Sequence, residues 1–154
     1  MEKDLIAHFI NAGSEVLFEL LQEKPSVEKV YKIERTSKTQ GIAIIIGITG
    51  DMEGRIIIDM APDTAHKISE IILQESLKSE DTELIESAVG ELANMIAGRA
   101  VSILNELGTS LKITPPTTFS GQNLKITDKM PQVFVVPLNT KVGKIMLNLS
   151  ITAV

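Results

Sequence analysis

Apolar residues recur at helical spacing over residues 3–22, where Leu5, Ile6, Phe9, Ile10, Val16, Leu17 and Leu20 form one stripe. Pro25 then closes that helix. The period changes next. Residues 28–36 alternate, with Val30 and Ile33 set among charges, and 40–49 are a nearly unbroken β-branched run. Together they predict a half-exposed strand followed by a buried one. Turn residues between Gly50 and Gly54 lead into RIIIDM as the partner of a hairpin. Pro62 opens a second helix over 62–74, and the acid-rich run SEDTE starts a third over about 81–107, with Asp81 or Thr82 as its cap and Gly108 as its stop. Short strands are expected at 111–114 and 123–127, either side of the rigid Pro115-Pro116 pair. A last hairpin joins 132–140 to 144–152, and Pro137 within its first strand predicts an edge position or a bulge.

The pattern has a weak internal repeat. GRIIIDM at 54–60 resembles GKIMLNL at 143–149, and Ala12-Gly13 in the first helix matches Ala97-Gly98 in the third. The expected class is therefore α+β: two helix-plus-hairpin halves forming a largely antiparallel sheet packed against helices, with a long central helix. A single domain over 1–154 accounts for the chain, which is long enough to bury a core without disulfides or a structural metal.

Composition narrows the chemistry. Hydrophobic residues make up 44% of the chain but aromatics only 3%, with no Trp, so the core must be aliphatic. The same scarcity, with a net charge of −5 and no Lys/Arg-rich run, argues against nucleic acid as a partner. Zero Cys excludes disulfides, thiolate zinc sites and a cysteine nucleophile. The N-terminus mixes acids into its apolar residues and reads as a mature helix, and no apolar run is long enough to insert in a membrane. A cytoplasmic protein is expected. No P-loop, dinucleotide glycine fingerprint or nucleophile elbow occurs. His8 and His66 lack ligand partners at metal spacing, so no metal site is expected. Arg99 falls toward the apolar arc of the third helix, where it either lies along the edge or meets a carboxylate.

One constellation stands apart. In SAVGELANMIAG (87–98), Glu91 and Asn94 lie three residues apart on the face opposite the apolar arc of Leu84, Ile85, Ala88, Val89, Leu92, Met95, Ile96, Ile103 and Leu107. Their neighbours on that face are small: Ser87, Gly90 and Gly98. Each interior Gly costs a helix roughly 0.5–1 kcal/mol relative to Ala. Close approach of a partner, or packing of another helix of the same chain, would equally explain two of them. An acid and an amide on a helix surface are ordinary solvated residues on their own. Neither is a nucleophile.

The string Ser87-x-x-x-Glu91-x-x-Asn94 followed by proline resembles the signature of the CheC/CheX/FliY chemotaxis phosphatases. ELANMIAG (91–98), ITPPTTFSG (113–121) and IIGITGDMEGRI (45–56) resemble the corresponding stretches of the CheX-like members, in the same order and over nearly the whole length. One departure is visible: Thr117 holds the position where the family proline usually falls, and Pro115 and Pro116 come slightly earlier. The Ala-Gly match puts Ile6 and Phe9 where a second acid–amide pair would lie, so the chain resembles the single-site kind. The resemblance implies hydrolysis of the phospho-aspartate of a CheY-like response regulator, with Glu91 and Asn94 catalytic and Ser87, Gly90 and Gly98 against the partner. It also implies frequent homodimerisation, for which the aliphatic run VFVVPL offers a strand edge. No cofactor of the chain's own is implied, the Mg²⁺ being the receiver's. The alternatives are a non-catalytic module of the same fold that docks receivers or switch components, and a dimerisation domain acting through a strand edge.

Overall fold

In the computed structural model, which describes residues 2–153, the elements follow the order α1 (Glu2–Leu21), β1 (Ser26–Val27), β2 (Tyr31–Lys38), β3 (Ile42–Gly50), β4 (Met52–Met60), α2 (Pro62–Leu73), α3 (Thr82–Glu106), β5 (Leu111–Ile113), β6 (Thr117–Ser120), β7 (Lys125–Thr140) and β8 (Gly143–Ala153). The three predicted helices stand within a residue or two of their expected bounds. All pairings are antiparallel, in the order β1-β7-β8-β4-β3-β5, with β2 also on β7 and β6 also on β3. This is the α+β class.

The order reads the same from both ends once the halves are overlaid. Helix α1 is followed by β1 to β4, and α3 by β5 to β8. The hairpin strands β4 and β8 meet at the centre, where Ile58 faces Leu147, and each half's first two strands pair with the other half's β7 or β3. The repeat seen in the sequence is thus a repeat of topology, with strands exchanged between halves.

Alternation along the strands sends one set of side chains toward the helices. Ile44, Ile46 and Ile48 of β3, Ile56, Ile58 and Met60 of β4, and Ile145, Leu147 and Leu149 of β8 join Leu92 and Ile96 of α3 in one contiguous aliphatic core. Burying one such side chain fully is worth roughly 1.5–3 kcal/mol, so the scarcity of aromatics is no handicap. The intervening residues, among them Asp59 and Asn148, point to the other face of the sheet.

Three local expectations are corrected. First, VFVVPL is not an edge: β7 lies between β8 on one side and β1 with β2 on the other. Pro137 is tolerated there because its carbonyl, which accepts Glu28 N–H at 3.0 Å, faces residues 28–30, the gap between β1 and β2. The missing N–H points the same way, so no ladder bond is lost. Second, the strands expected at 123–127 and 132–140 are one strand, Lys125–Thr140. Third, Asp81 takes the N-cap position of α3, but its carboxylate accepts Lys78 N–H at 2.8 Å rather than a helix amide. Gly108 does stop the helix, in the left-handed conformation that glycine adopts freely (φ +111°). Among the described residues no helix is long and apolar enough to cross a membrane.

Candidate functional site

Helix α3 packs its buried residues, from Ile85 and Ala88 through Leu92, Ile96 and Ala100 to Leu104, against the sheet and the other two helices. That arc fixes what remains outside. Glu91 is exposed, Asn94 half-buried, and Ser87 exposed one turn earlier. Among the described residues none of the three side chains makes a hydrogen bond or ion pair with the rest of the chain. For a half-buried amide this is unusual, since such groups normally find partners. Here its donors and acceptor stay open to whatever approaches.

The pair lies in a shallow depression of about 490 Å³, lined by Glu83, Glu86, Ser87, Gly90, Glu91, Asn94, Pro116 and Thr118. Its far wall is the segment after β5. Thr117 and Thr118 pair with Ile45 and Ile44 of β3. Thr114 is fastened to the same strand, its N–H donating to the Gly47 carbonyl at 3.0 Å while its Oγ1 accepts Gly47 N–H at 2.8 Å. Ser120 Oγ donates to Glu86 Oε1 at 2.6 Å, tying the wall back to α3. The proline pair is therefore held rigidly over the helix, with Pro116, not Thr117, lining the depression.

The two helix glycines now separate. A Cβ on Gly90 would come to 3.8 Å from Pro116 Cγ, an ordinary contact, and one on Gly98 would meet nothing within 4 Å. Neither glycine is demanded by packing within the chain. Gly13 of α1 is the opposite case: its Cβ would crowd Leu147 and Leu138 at 3.2 and 3.3 Å. Packing of another helix of the same chain therefore explains neither Gly98 nor Gly90, although Gly90 itself is buried beneath the proline segment.

The first half holds no second pair, but not at the positions expected from the Ala-Gly match. Phe9, Ala12, Gly13, Val16 and Leu17 are buried in α1, and Ala93, Ile96, Ala97, Ala100 and Val101 in α3. The burial patterns do not coincide at that match but do when α1 is shifted by one residue relative to it. Ala7 and Ile10 then stand where Glu91 and Asn94 do, instead of Ile6 and Phe9. Two small residues in a row do not fix a helix's rotation, whereas its buried arc does.

Three lining acids give the depression a negative character. Arg99 does not offset it. The guanidinium grips Glu19 of α1 through Nη1 at 2.9 Å and Nη2 at 2.8 Å, with Glu15 at 3.5 Å, so the open question is settled in favour of a carboxylate. Arg99's hydrogen bonds hold the Glu19 carboxyl below its ordinary value. The pair is a strut between α1 and α3. His66 is likewise occupied, Nε2 lying 2.9 Å from the Leu77 carbonyl oxygen and 3.7 Å from Glu70. Among the described residues no three His, Asp or Glu side chains gather as a metal set. Thr118, Glu83 and Glu86 were not singled out by sequence, and Pro116 was noted only as half of a proline pair of unassigned role. Glu83 and Glu86 precede Glu91 on the same helix, whereas Pro116 and Thr118 reach it only through the pairing of β6 with β3.

An open carboxylate and carboxamide, with no activated nucleophile beside them, can assist a reaction only in a group brought to them. The sequence model of a family described as chemotaxis phosphatase CheX matches residues 42–139. The CheY-P phosphatase CheX of Thermotoga maritima is 32% identical over 126 residues, covering 82% of this chain and 81% of that protein. The chain belongs to the CheX family of chemotaxis phosphatases. A CheX from Borrelia burgdorferi, crystallised as a CheX–CheY–BeF₃–Mg²⁺ complex, superposes with a TM-score of 0.81 at 30% identity over 95% of this chain and 96% of its own. Desulfovibrio desulfuricans CheX shares the fold at a TM-score of 0.85 and 24% identity, over 97% and 99% of the two chains.

Proposed function

We propose that this chain hydrolyses the aspartyl phosphate of a CheY-like response regulator, with Asn94 orienting the attacking water and Glu91 fixing the docked geometry. The observation that carries this reading is the unpartnered Glu91–Asn94 pair, raised on a helix face whose glycines serve no packing need of the chain.

A phosphorylated receiver brings its own phosphoryl group and Mg²⁺, which neutralises the developing charge. The missing component is a water held in line with the phosphorus. A carboxamide can hold it there, because its oxygen accepts a hydrogen from water while its NH₂ donates toward a phosphoryl oxygen, and no strong base is needed. Restricting that water to an attack geometry can supply a large share of a catalytic effect. Glu91 offers a charge-assisted contact to a cation beside the receiver's phosphate, and Glu83 and Glu86 extend the complementary field. Gly90, Gly98 and Ser87 leave room for the receiver's loops. This reading assigns the chain to the cytoplasm and needs no cofactor beyond the receiver's Mg²⁺. It carries an expected homodimer too, not formed by strand addition along VFVVPL; light scattering tests it.

The test is phosphate release from a CheY-like receiver charged with acetyl phosphate and Mg²⁺. The wild-type chain accelerates release, while Glu91→Ala and Asn94→Ala lose the acceleration and keep the wild-type melting temperature. A receiver that binds but decays at its intrinsic rate would favour the non-catalytic docking module instead.

A further inference from the structure

On the sheet face opposite the helices, a second cavity of about 400 Å³ opens among β2, β4, β7 and β8. Its polar floor is Asp59 of β4 and Asn148 of β8, which are only 4% and 7% exposed. Each interrupts a run of apolar strand residues, in IIIDM and in IMLNL. Ile33, Val135 and Met146 supply the apolar walls, with Lys38 at the rim.

The floor is poorly satisfied by the protein. Asn148 Oδ1 is buried without a hydrogen-bond partner. The Asp59 oxygens share Gln40 N–H, at 3.0 Å from each, with lesser support from the Gln40 side chain and the Met60 backbone. The Asp59 oxygens and Asn148 Oδ1 can only accept, and the chain supplies these acceptors with too few donors. Burial also pushes the Asp59 carboxyl up to about 6, the mark of an anion short of a compensating charge. At the rim, Lys144 is engaged by Glu28 at 3.1 Å, while Lys38 makes no ion pair among the described residues.

We propose that this cavity binds a small ammonium–carboxylate zwitterion of the free amino acid type, its ammonium donating to Asn148 Oδ1 and Asp59 and its carboxylate meeting Lys38. An ammonium supplies several donors and a positive charge where both are lacking, and the apolar walls accommodate a hydrocarbon side chain. The inference is independent of the phosphatase reading, because the cavity and the α3 depression share no residue.

L-Leucine, isoamylamine, which lacks the carboxylate, and 4-methylpentanoate, which lacks the ammonium, are the probes. Titrations of the full chain are followed by NMR at the Met146 methyl and by calorimetry. L-Leucine should bind most tightly, the amine at least about tenfold more weakly, and the acid not at all. Lys38→Met should abolish the preference for L-leucine over the amine without weakening amine binding. Asn148→Val should abolish binding of both while raising the melting temperature, since it removes an orphaned buried acceptor. That opposite movement of binding and stability is not expected of a purely structural residue. Absence of binding by every probe overturns the proposal, as does equal binding by Asn148→Val. Burial of the Met146 face by a second copy, seen as Met146 exchange broadening that scales with protein concentration and not with ligand, overturns it too.

Discussion

Helices α1 and α3 begin equivalent halves of the sheet, yet only α3 presents chemistry. The difference lies in what each helix lets go. In α1 the glycine is buried under Leu147 and Leu138, and at the burial-matched positions stand Ala7 and Ile10, the latter packed against the core. In α3 the corresponding face carries Glu91 and Asn94 with no internal partners, flanked by glycines that touch little or nothing. A duplicated scaffold can thus keep its buried arc twice and release its outer face once. What distinguishes the α3 copy, and carries the proposed function, is not an extra element but polar side chains and glycines that the fold itself does not use.

The contrast can be broken at several strengths. Phe9→Asn should be the most damaging: it empties a wholly buried site and installs an amide without partners, costing about 3–5 kcal/mol in urea unfolding. Ala7→Glu, at an exposed position, should leave the unfolding midpoint almost unmoved. If the Ala-Gly match rather than the buried arc set the helix's rotation, these two effects would be reversed.

On the far face, β4 and β8 carry a contrast of their own, Asp59 against Asn148. Asp59 titrates at about 6 in the folded chain against an ordinary 3.8. A raised folded value means that the folded state holds the proton more tightly. Its contribution is therefore full below pH 4 and lost as pH rises through 6. Two units correspond to roughly 3 kcal/mol, and Asp59→Asn should recover about 1–3 kcal/mol at pH 7 and little at pH 4. Stability curves of equal shape for variant and wild type between pH 4 and 7 would refute the assignment.

Gly98→Ala is a smaller and sharper probe. Nothing obstructs the new methyl, so the helix should gain about 0.5–1 kcal/mol in thermal unfolding. If the bare face exists for a receiver, the same change raises KM for that receiver. A stabilised variant with unchanged KM would show that the glycine has no partner to serve. Breaking the Arg99–Glu19 strut should matter least, because both groups stand partly in water, and added salt should shrink the effect further.

Much of this was legible in the sequence because it is local. Apolar spacing located all three helices, and the apolar arc of α3 placed Glu91 outside and Asn94 at the border, although Leu84 and Leu107 at the ends of that arc stand exposed because the helix termini reach past the sheet. A β-branched run marked β3, and the hairpin turns before them marked β4 and β8. What stayed hidden depends on residues far apart in the chain. β6 is too short and polar to announce itself and exists by pairing with β3. Pro137 signals an edge by every local rule, and only the gap between β1 and β2 allows it inside the sheet. Pro116 over Gly90 and the floor of Asp59 and Asn148 are likewise products of pairing, although a polar residue within IIIDM and within IMLNL was a readable irregularity.

The central claim divides labour within one pair: Asn94 works on the water and Glu91 on the docking. Calorimetric titration of each variant with a receiver locked by BeF₃ and Mg²⁺ tests this most directly. Asn94→Ala should bind within about threefold of wild type while its phosphate release falls by about a hundredfold or more, and Glu91→Ala should lose affinity as well as turnover. Loss of affinity by Asn94→Ala in proportion to its lost turnover would contradict the claim and make the amide a docking contact only.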